Sequence, residues 1–306
     1  MSLALPTRPD GDGRVRVSLA ELLALRGRIA RVRPPRQDSR AAPAGPQASR
    51  LYGRGMDYAE SRVYQPGDDV RRLDWRLTAR SGELHTKLFQ EEREGRLLIL
   101  LDTNASMRFG TRARFKSVQA ARAAALAGWY AARAGERVGA LAFGASRHLL
   151  RPRGGVHGAT ALCGALAHWD AAVGGEEESL SDALARAGRL LHGASRVLLV
   201  SDGVSCDASA RARLRDVMPR ASLAVLVVAD ALELAPPPPG RYPLEHAGQR
   251  REVDLHGARR RAEFQQALGA GPARLSGLAQ ALGLRWREID TSADPTDPVV
   301  QLLGAR

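Results

Sequence analysis

The residues best placed to do chemistry are three oxygen-bearing side chains in Asp102-Thr103-Asn104-Ala105-Ser106, directly after the apolar run Leu97-Leu98-Ile99-Leu100-Leu101. A carboxylate, an amide and a hydroxyl at alternate positions each offer a hard oxygen, and a tight loop can turn all three toward one point. A small hard cation such as Mg²⁺ takes oxygen ligands in an octahedron and keeps several waters. A second carboxylate stands in Ser201-Asp202-Gly203, right after Val197-Leu198-Leu199-Val200, where Gly203 allows a sharp turn. Each segment also has a plainer account. An Asp at a strand end often caps the next helix, and Ser-Asp-Gly is a common turn. Their joint position, at the ends of two strands in the right order, favours a metal site.

What must position these residues is a sheet. Continuous apolar runs such as 97–101 and 197–200 mark strands buried on both faces of a parallel sheet. Further strands are expected over 137–143, 223–229 and 284–289, with an antiparallel edge strand over 147–151. Between them the spacing predicts helices over 114–134 (closed by Gly135 as a C-cap), 159–171, 180–191, 209–218, 258–268 and 273–282, and a short one over 298–303. Strands alternating with helices demand an α/β fold with a doubly wound, mostly parallel sheet, in which ligands bind beyond the carboxyl ends of the strands. Pro236 to Pro239 read as a surface loop, and 241–255 fits no single element. Ahead of this domain, assigned to 96–306, residues 51–95 are polar and turn-rich, with β-like runs over 71–78 and 84–90 that make a small N-terminal β element. Residues 1–50 read as a flexible segment holding one possible helix over 19–32 and a Pro/Ala/Ser-rich linker over 41–49.

Composition narrows the function. The 306 residues carry a net charge of +13, with 44% hydrophobic and 26% charged residues, as in ordinary globular proteins. No apolar stretch is long enough for a membrane span or a signal peptide, so a cytoplasmic setting is expected. Cys163 and Cys206 form neither a disulfide framework nor a zinc spacing, and Cys163 reads as core. Lys87 and Lys116 are the only lysines among 46 basic residues. The arginines are scattered and aromatics make up only 5%, so an acidic partner surface is favoured over nucleic acid, which stays as an alternative, and a generic solvated surface fits as well as either. Neither lysine sits in a phosphate-binding loop, no glycine-rich dinucleotide turn follows the first strand, and no nucleophile elbow or His-based metal spacing exists. The remaining enzymatic alternative is a metal-dependent phosphohydrolase with Asp102 as nucleophile, for which the sequence offers no neighbouring lysine or second acidic motif.

The motif itself resembles a known one. Asp102 to Ser106 is similar to the D-x-S-x-S motif of the metal-ion-dependent adhesion site in von Willebrand factor A domains, with Asn104 standing where that motif has Ser. Upstream, Tyr64-Gln65-Pro66-Gly67-Asp68-Asp69-Val70-Arg71, Leu73-Asp74-Trp75, Thr78-Ala79-Arg80, and Lys87-Leu88-Phe89 with Glu91-Glu92-Arg93 resemble the signature of the bacterial family called domain of unknown function 58. The resemblance implies a von Willebrand factor A-like domain that binds proteins and catalyses nothing. It implies Mg²⁺ or another divalent cation held by Asp102, Asn104 and Ser106, with Asp202 acting directly or through water and Thr160 completing the set. A ligand's Asp or Glu would fill the open metal position. It further implies a MoxR-type AAA ATPase as working partner, with no membrane span in this member. For the run from Gly67 to Arg80 two accounts stay open: a docking surface presented by Asp68, Asp69, Arg71 and Arg72, or a salt-bridged turn in which Trp75 packs the β element onto the main sheet.

Overall fold

The computed structural model describes residues 10–32, 56–91, 95–171, 175–191, 195–246 and 249–304. The expected linker over 41–49 lies outside them. The chain divides into two units, one formed by Met1–Arg36 with Gly95–Arg306 and the other by Gln37–Glu94.

Two short helices, α1 (Leu19–Ala24) and α2 (Arg26–Ile29), come first. Both lie within the helix expected over 19–32, and this stretch packs into the core where a flexible lead-in was expected. Val17, Leu22, Leu25 and Ile29 are buried in the main hydrophobic core, because their near-helical spacing puts them on one face. In the smaller unit, β1 (Met56–Val63) pairs antiparallel with β2 (His85–Glu91). The extended run expected over 71–78 is instead a single 3₁₀ turn, Val70–Arg72, followed by α3 (Trp75–Ser81). Two Asp caps decide this: Asp69 accepts the Arg71 N–H at 3.0 Å and Asp74 accepts the Leu77 N–H at 3.1 Å. Each satisfies an orphan donor that only a helical start creates.

The larger unit continues with β3 (Arg96–Thr103), α4 (Lys116–Arg133), β4 (Arg137–Gly144), β5 (Leu149–Gly154), α5 (Gly155–Asp170), α6 (Leu180–Gly188), β6 (Ser195–Ser201) and α7 (Ala210–Val217). It closes with β7 (Ala221–Ala229), α8 (Ala231–Leu234), β8 (Arg241–His246), β9 (Gln249–Asp254), α9 (Ala258–Leu268), α10 (Ala270–Ala281), β10 (Arg285–Asp290) and α11 (Thr296–Leu303). Six strands make one sheet in the order β10-β7-β6-β3-β4-β5, parallel except for β5 at the edge. The unassigned stretch 241–255 is the hairpin β8–β9.

Side-chain alternation along β3 splits the core in two. Leu97, Ile99 and Leu101 belong to the layer with α1, α2, α4, α5 and α11, while Leu98 and Leu100 belong to the layer with α6, α7 and α10. The sheet is therefore doubly wound. Ala-rich α4 is buried along most of its length, since methyl-sized side chains let it lie close to both the sheet and its neighbouring helices. Chain order runs from β3 outward through β4 and β5, then returns to β6 on the other side of β3. The direction of winding reverses between β3 and β6, and in such sheets the crevice beyond that point is where ligands bind. Asp102 and Asp202 stand there.

Gly144, which closes β4, holds one wall of this crevice. Its φ is +95°, and a Cβ on it would lie 2.6 Å from both the backbone N and the Oδ1 of Asn104. Gly144→Ala is expected to cost about 2–4 kcal/mol through backbone strain and displacement of the Asn104 loop. Equilibrium denaturation measures it, and a cost near zero would show that the loop yields freely.

Candidate functional site

Asp102 is the hub. Its Oδ1 accepts the backbone N–H of Asn104 at 3.0 Å and the Asn104 Nδ2–H at 2.9 Å. Its Oδ2 accepts the hydroxyls of Ser201 at 2.7 Å and Ser205 at 2.8 Å. The Asn104 amide is tied on both sides to the segment before α6: Nδ2 also donates to the Glu178 carbonyl at 3.1 Å, and Oδ1 accepts the Glu178 N–H at 3.0 Å. The buried Glu178 carboxylate in turn accepts the Gly144 N–H at 3.2 Å and is paired with Arg186 at 2.8 Å. Three chain segments, after β3, after β4 and before α6, thus lock together through one amide and two carboxylates.

Asp202 is satisfied differently. Oδ1 accepts the Val204 N–H at 3.0 Å, folding the Ser201-Asp202-Gly203 turn back on itself, and Oδ2 accepts the Lys116 ammonium at 2.8 Å. The same Nζ lies 2.6 Å from Glu233 Oε1. The second oxygen of Glu233 accepts the Asp230 N–H at 2.7 Å in the capping box of α8. Burial drives the Asp102 carboxyl up to a pKa of about 6, and the neighbouring Asp202 charge adds to the rise. Burial also works against the Lys116 ammonium, but the attraction of Asp202 and Glu233 outweighs it and leaves the Lys116 pKa above its usual value.

Of the expected metal ligands, Asp102, Asn104 and Asp202 come together and are buried. Ser106 lies in the 3₁₀ turn Ala105–Met107, and its buried Oγ has no hydrogen-bond partner among the described residues. Thr160 is exposed on α5, away from this network; its place near the crevice is taken by the 175–179 segment that ends in Glu178 and Ser179. An orphaned hydroxyl speaks for a ligand, but the other donors do not fit a divalent ion. A carboxylate has about four lone-pair sites. All four of Asp102 are spent on internal donors, the Asn104 oxygen is held by Glu178, and Asp202 already carries a cation. Among the described residues no group of three or more acidic, His or Cys side chains is arranged to hold a metal.

In the smaller unit, Asp68 binds Arg62 at 2.7 Å and accepts the Gln65 N–H at 2.9 Å, and Asp69 caps the 3₁₀ turn. Both carboxylates serve the turn itself, while Arg71 and Arg72 are exposed. Trp75 is 66% exposed. Sequence reasoning missed Lys116, which is 86 positions from Asp202 and becomes its neighbour only through the fold. A hint was available: a lysine beside Phe115 at the start of an Ala-rich buried helix has no solvated face to occupy.

An open α/β sheet with a polar crevice at its winding reversal defines a class of fold in which ligands bind beyond the carboxyl ends of the strands. Residues 60–272 match the family described as "Protein of unknown function DUF58", and the chain belongs to that family. It is 29% identical over 257 residues to the uncharacterized protein Rv1480 of Mycobacterium tuberculosis, covering 83% of this chain and 80% of that one. Uncharacterized protein Mb1516 of Mycobacterium bovis matches to the same extent. Among solved structures, similarity extends to BatB from Bacteroides thetaiotaomicron (13% identity, 69% of this chain and 97% of that chain, TM-score 0.41). It also extends to a von Willebrand factor type A protein from Catenulispora acidiphila (11% identity, 72% and 43%, TM-score 0.37). Among the described residues no helix is long and apolar enough to cross a membrane.

The raised Asp102 pKa has a sign that can be checked. Between 3.8, its ordinary value, and about 6 the folded chain keeps a proton that the unfolded chain releases. Asp102 therefore lowers stability progressively as pH rises through this window, and by a constant amount above it. Relative to Asp102→Asn, the wild type should lose about 2 kcal/mol on going from pH 4 to pH 7. Denaturant unfolding of both proteins at the two pH values measures this, and a difference that does not change with pH would refute it.

Proposed function

We propose that this chain is a non-enzymatic protein-interaction module, an adaptor that works with a MoxR-type AAA ATPase in the assembly or maturation of a client complex in the cytoplasm. The observation that carries it is how the crevice residues are employed. Every oxygen of Asp102 is consumed in fixing loops, and Lys116, the group a phosphohydrolase would want beside its nucleophile, is spent on Asp202 and Glu233. Held in this way, Asp102 shapes a surface, with its lone pairs engaged by internal donors and none left to attack a substrate. The product of that rigidity is a fixed rim at the carboxyl end of the sheet, where Val204 is 49% exposed beside the buried turn. A fixed, partly apolar rim next to polar loops suits a protein partner, because little conformational freedom remains to be lost on docking.

The ATPase as partner follows from the family resemblance, and a ligand rich in acidic residues suits the net charge of +13. A Mg²⁺-dependent version of the same contact has only the unpartnered Ser106 hydroxyl in its favour, against the internal bonds already made by Asp102, Asn104 and Asp202.

Affinity capture from native lysate of the source organism, with magnesium or with chelator, tests the proposal. The wild type should retain a MoxR-type ATPase, and Val204→Glu should weaken that capture at least about tenfold, equivalent to about 1.4 kcal/mol. Equal capture by Val204→Glu, or no ATPase with the wild type under either condition, would overturn it.

A further inference from the structure

Four ionisable groups meet in the crevice with almost no access to water. Lys116 is 1% exposed, Asp102 1%, Asp202 0% and Glu233 4%. Three are acids and one is a base, and burying unpaired carboxylates is costly unless a cation joins them. That cation is part of the chain. The Lys116 ammonium lies 2.8 Å from Asp202 Oδ2 and 2.6 Å from Glu233 Oε1, and 5.6 Å from the centre of the Phe109 ring, where the π face adds attraction.

The position of this lysine makes its role specific. Lys116 is the first residue of α4, at the positive end of an 18-residue helix dipole, where a cation is disfavoured. A buried lysine at that end is tolerable only with strong compensation, and both of its acidic partners come from other strand ends: Asp202 after β6 and Glu233 after β7. An ammonium is a compact, strongly localised charge with donors that can be aimed at separate oxygens. Placed on Asp202, it supplies the countercharge that a divalent ion would otherwise supply and repels any second cation from the same carboxylate.

We infer that Lys116 is the resident cation of this site. Its ammonium stands in for the divalent metal that the D-x-N-x-S spacing would imply, and the native chain binds no Mg²⁺, Mn²⁺ or Ca²⁺ at Asp102, Asn104, Ser106 and Asp202. This inference is independent of whether the chain acts as an adaptor, because its test reads cation binding alone.

The test uses the full chain and the metals themselves. Thermal melts of the wild type in chelator and in millimolar Mg²⁺, Mn²⁺ or Ca²⁺ should coincide within about 1 °C, since a ligand that does not bind the folded state cannot stabilise it. Lys116→Met leaves the acids uncompensated, so its melting temperature should rise by several degrees on adding a divalent ion, and calorimetric titration should detect binding that the wild type lacks. Lys116→Met/Glu233→Gln, with one buried acid fewer, should show the same gain and serves if the single variant does not fold. A wild type stabilised by several degrees, or bound with heat that Asp102→Asn abolishes, would overturn the inference. A folded Lys116 variant indifferent to all three ions would overturn it too. If neither Lys116 variant folds with or without metal, the wild-type melts and titration alone decide.

Discussion

Two carboxylates at the ends of neighbouring buried strands set the central constraint on this protein. Ionised acids in a dry, low-dielectric place must find partners, or the loops that carry them cannot stay where they are. The chain answers this in two ways. Asp102 is wrapped by neutral donors, two hydroxyls and an amide with its own backbone N–H, which offset part of the rise in proton affinity that burial and the Asp202 charge impose. Asp202 is matched by a full positive charge. The loops after β3, β4 and β6 are anchored to one of these acids or to Glu178, whose backbone ties the segment before α6 to the Asn104 amide. The rigid rim is a consequence of satisfying buried charge.

The same constraint explains why Lys116 sits where helix electrostatics alone would forbid it. A lysine in the first turn of α4 loses the favourable interaction that an acidic residue would have there. It gains two carboxylates delivered by β6 and β7, and the helix is thereby stapled to the sheet on the far side of β3. Cys163, by contrast, needs no such compensation. Burial lifts its thiol to about 12, it stays neutral, and it packs as a small apolar side chain between α5 and α4.

Much of this was legible in the sequence. The apolar runs at 97–101 and 197–200 gave the parallel strands, the alternation with helices gave the doubly wound sheet, and the edge strand expected over 147–151 is β5, Leu149–Gly154. Local signals fixed these elements, so they could be read locally. The approach of Asp102 and Asp202 was readable as well, because strand ends and winding order suffice to predict it. What escaped was long-range or dependent on caps. The burial of Leu22, Leu25 and Ile29 depended on a core contributed by α4 and α5, and the turn of 70–81 into helix depended on the side chains of Asp69 and Asp74. Thr160 was placed by analogy of motif, and its helix simply begins earlier than expected, at Gly155. Lys116 could not be paired with Asp202 from sequence, because no local pattern announces which acid a buried lysine will meet.

The site turns on a single charged nitrogen, and the scarcity of lysine makes it directly visible. With lysine-selective ¹⁵N labelling, the chain has only two side-chain ammonium groups, Lys87 and Lys116. One should appear in NMR as a slowly exchanging, hydrogen-bonded ammonium that keeps its charge across neutral pH and does not shift on adding magnesium. Two fast-exchanging lysine signals, or a protected signal that moves when the metal is added, would contradict the account.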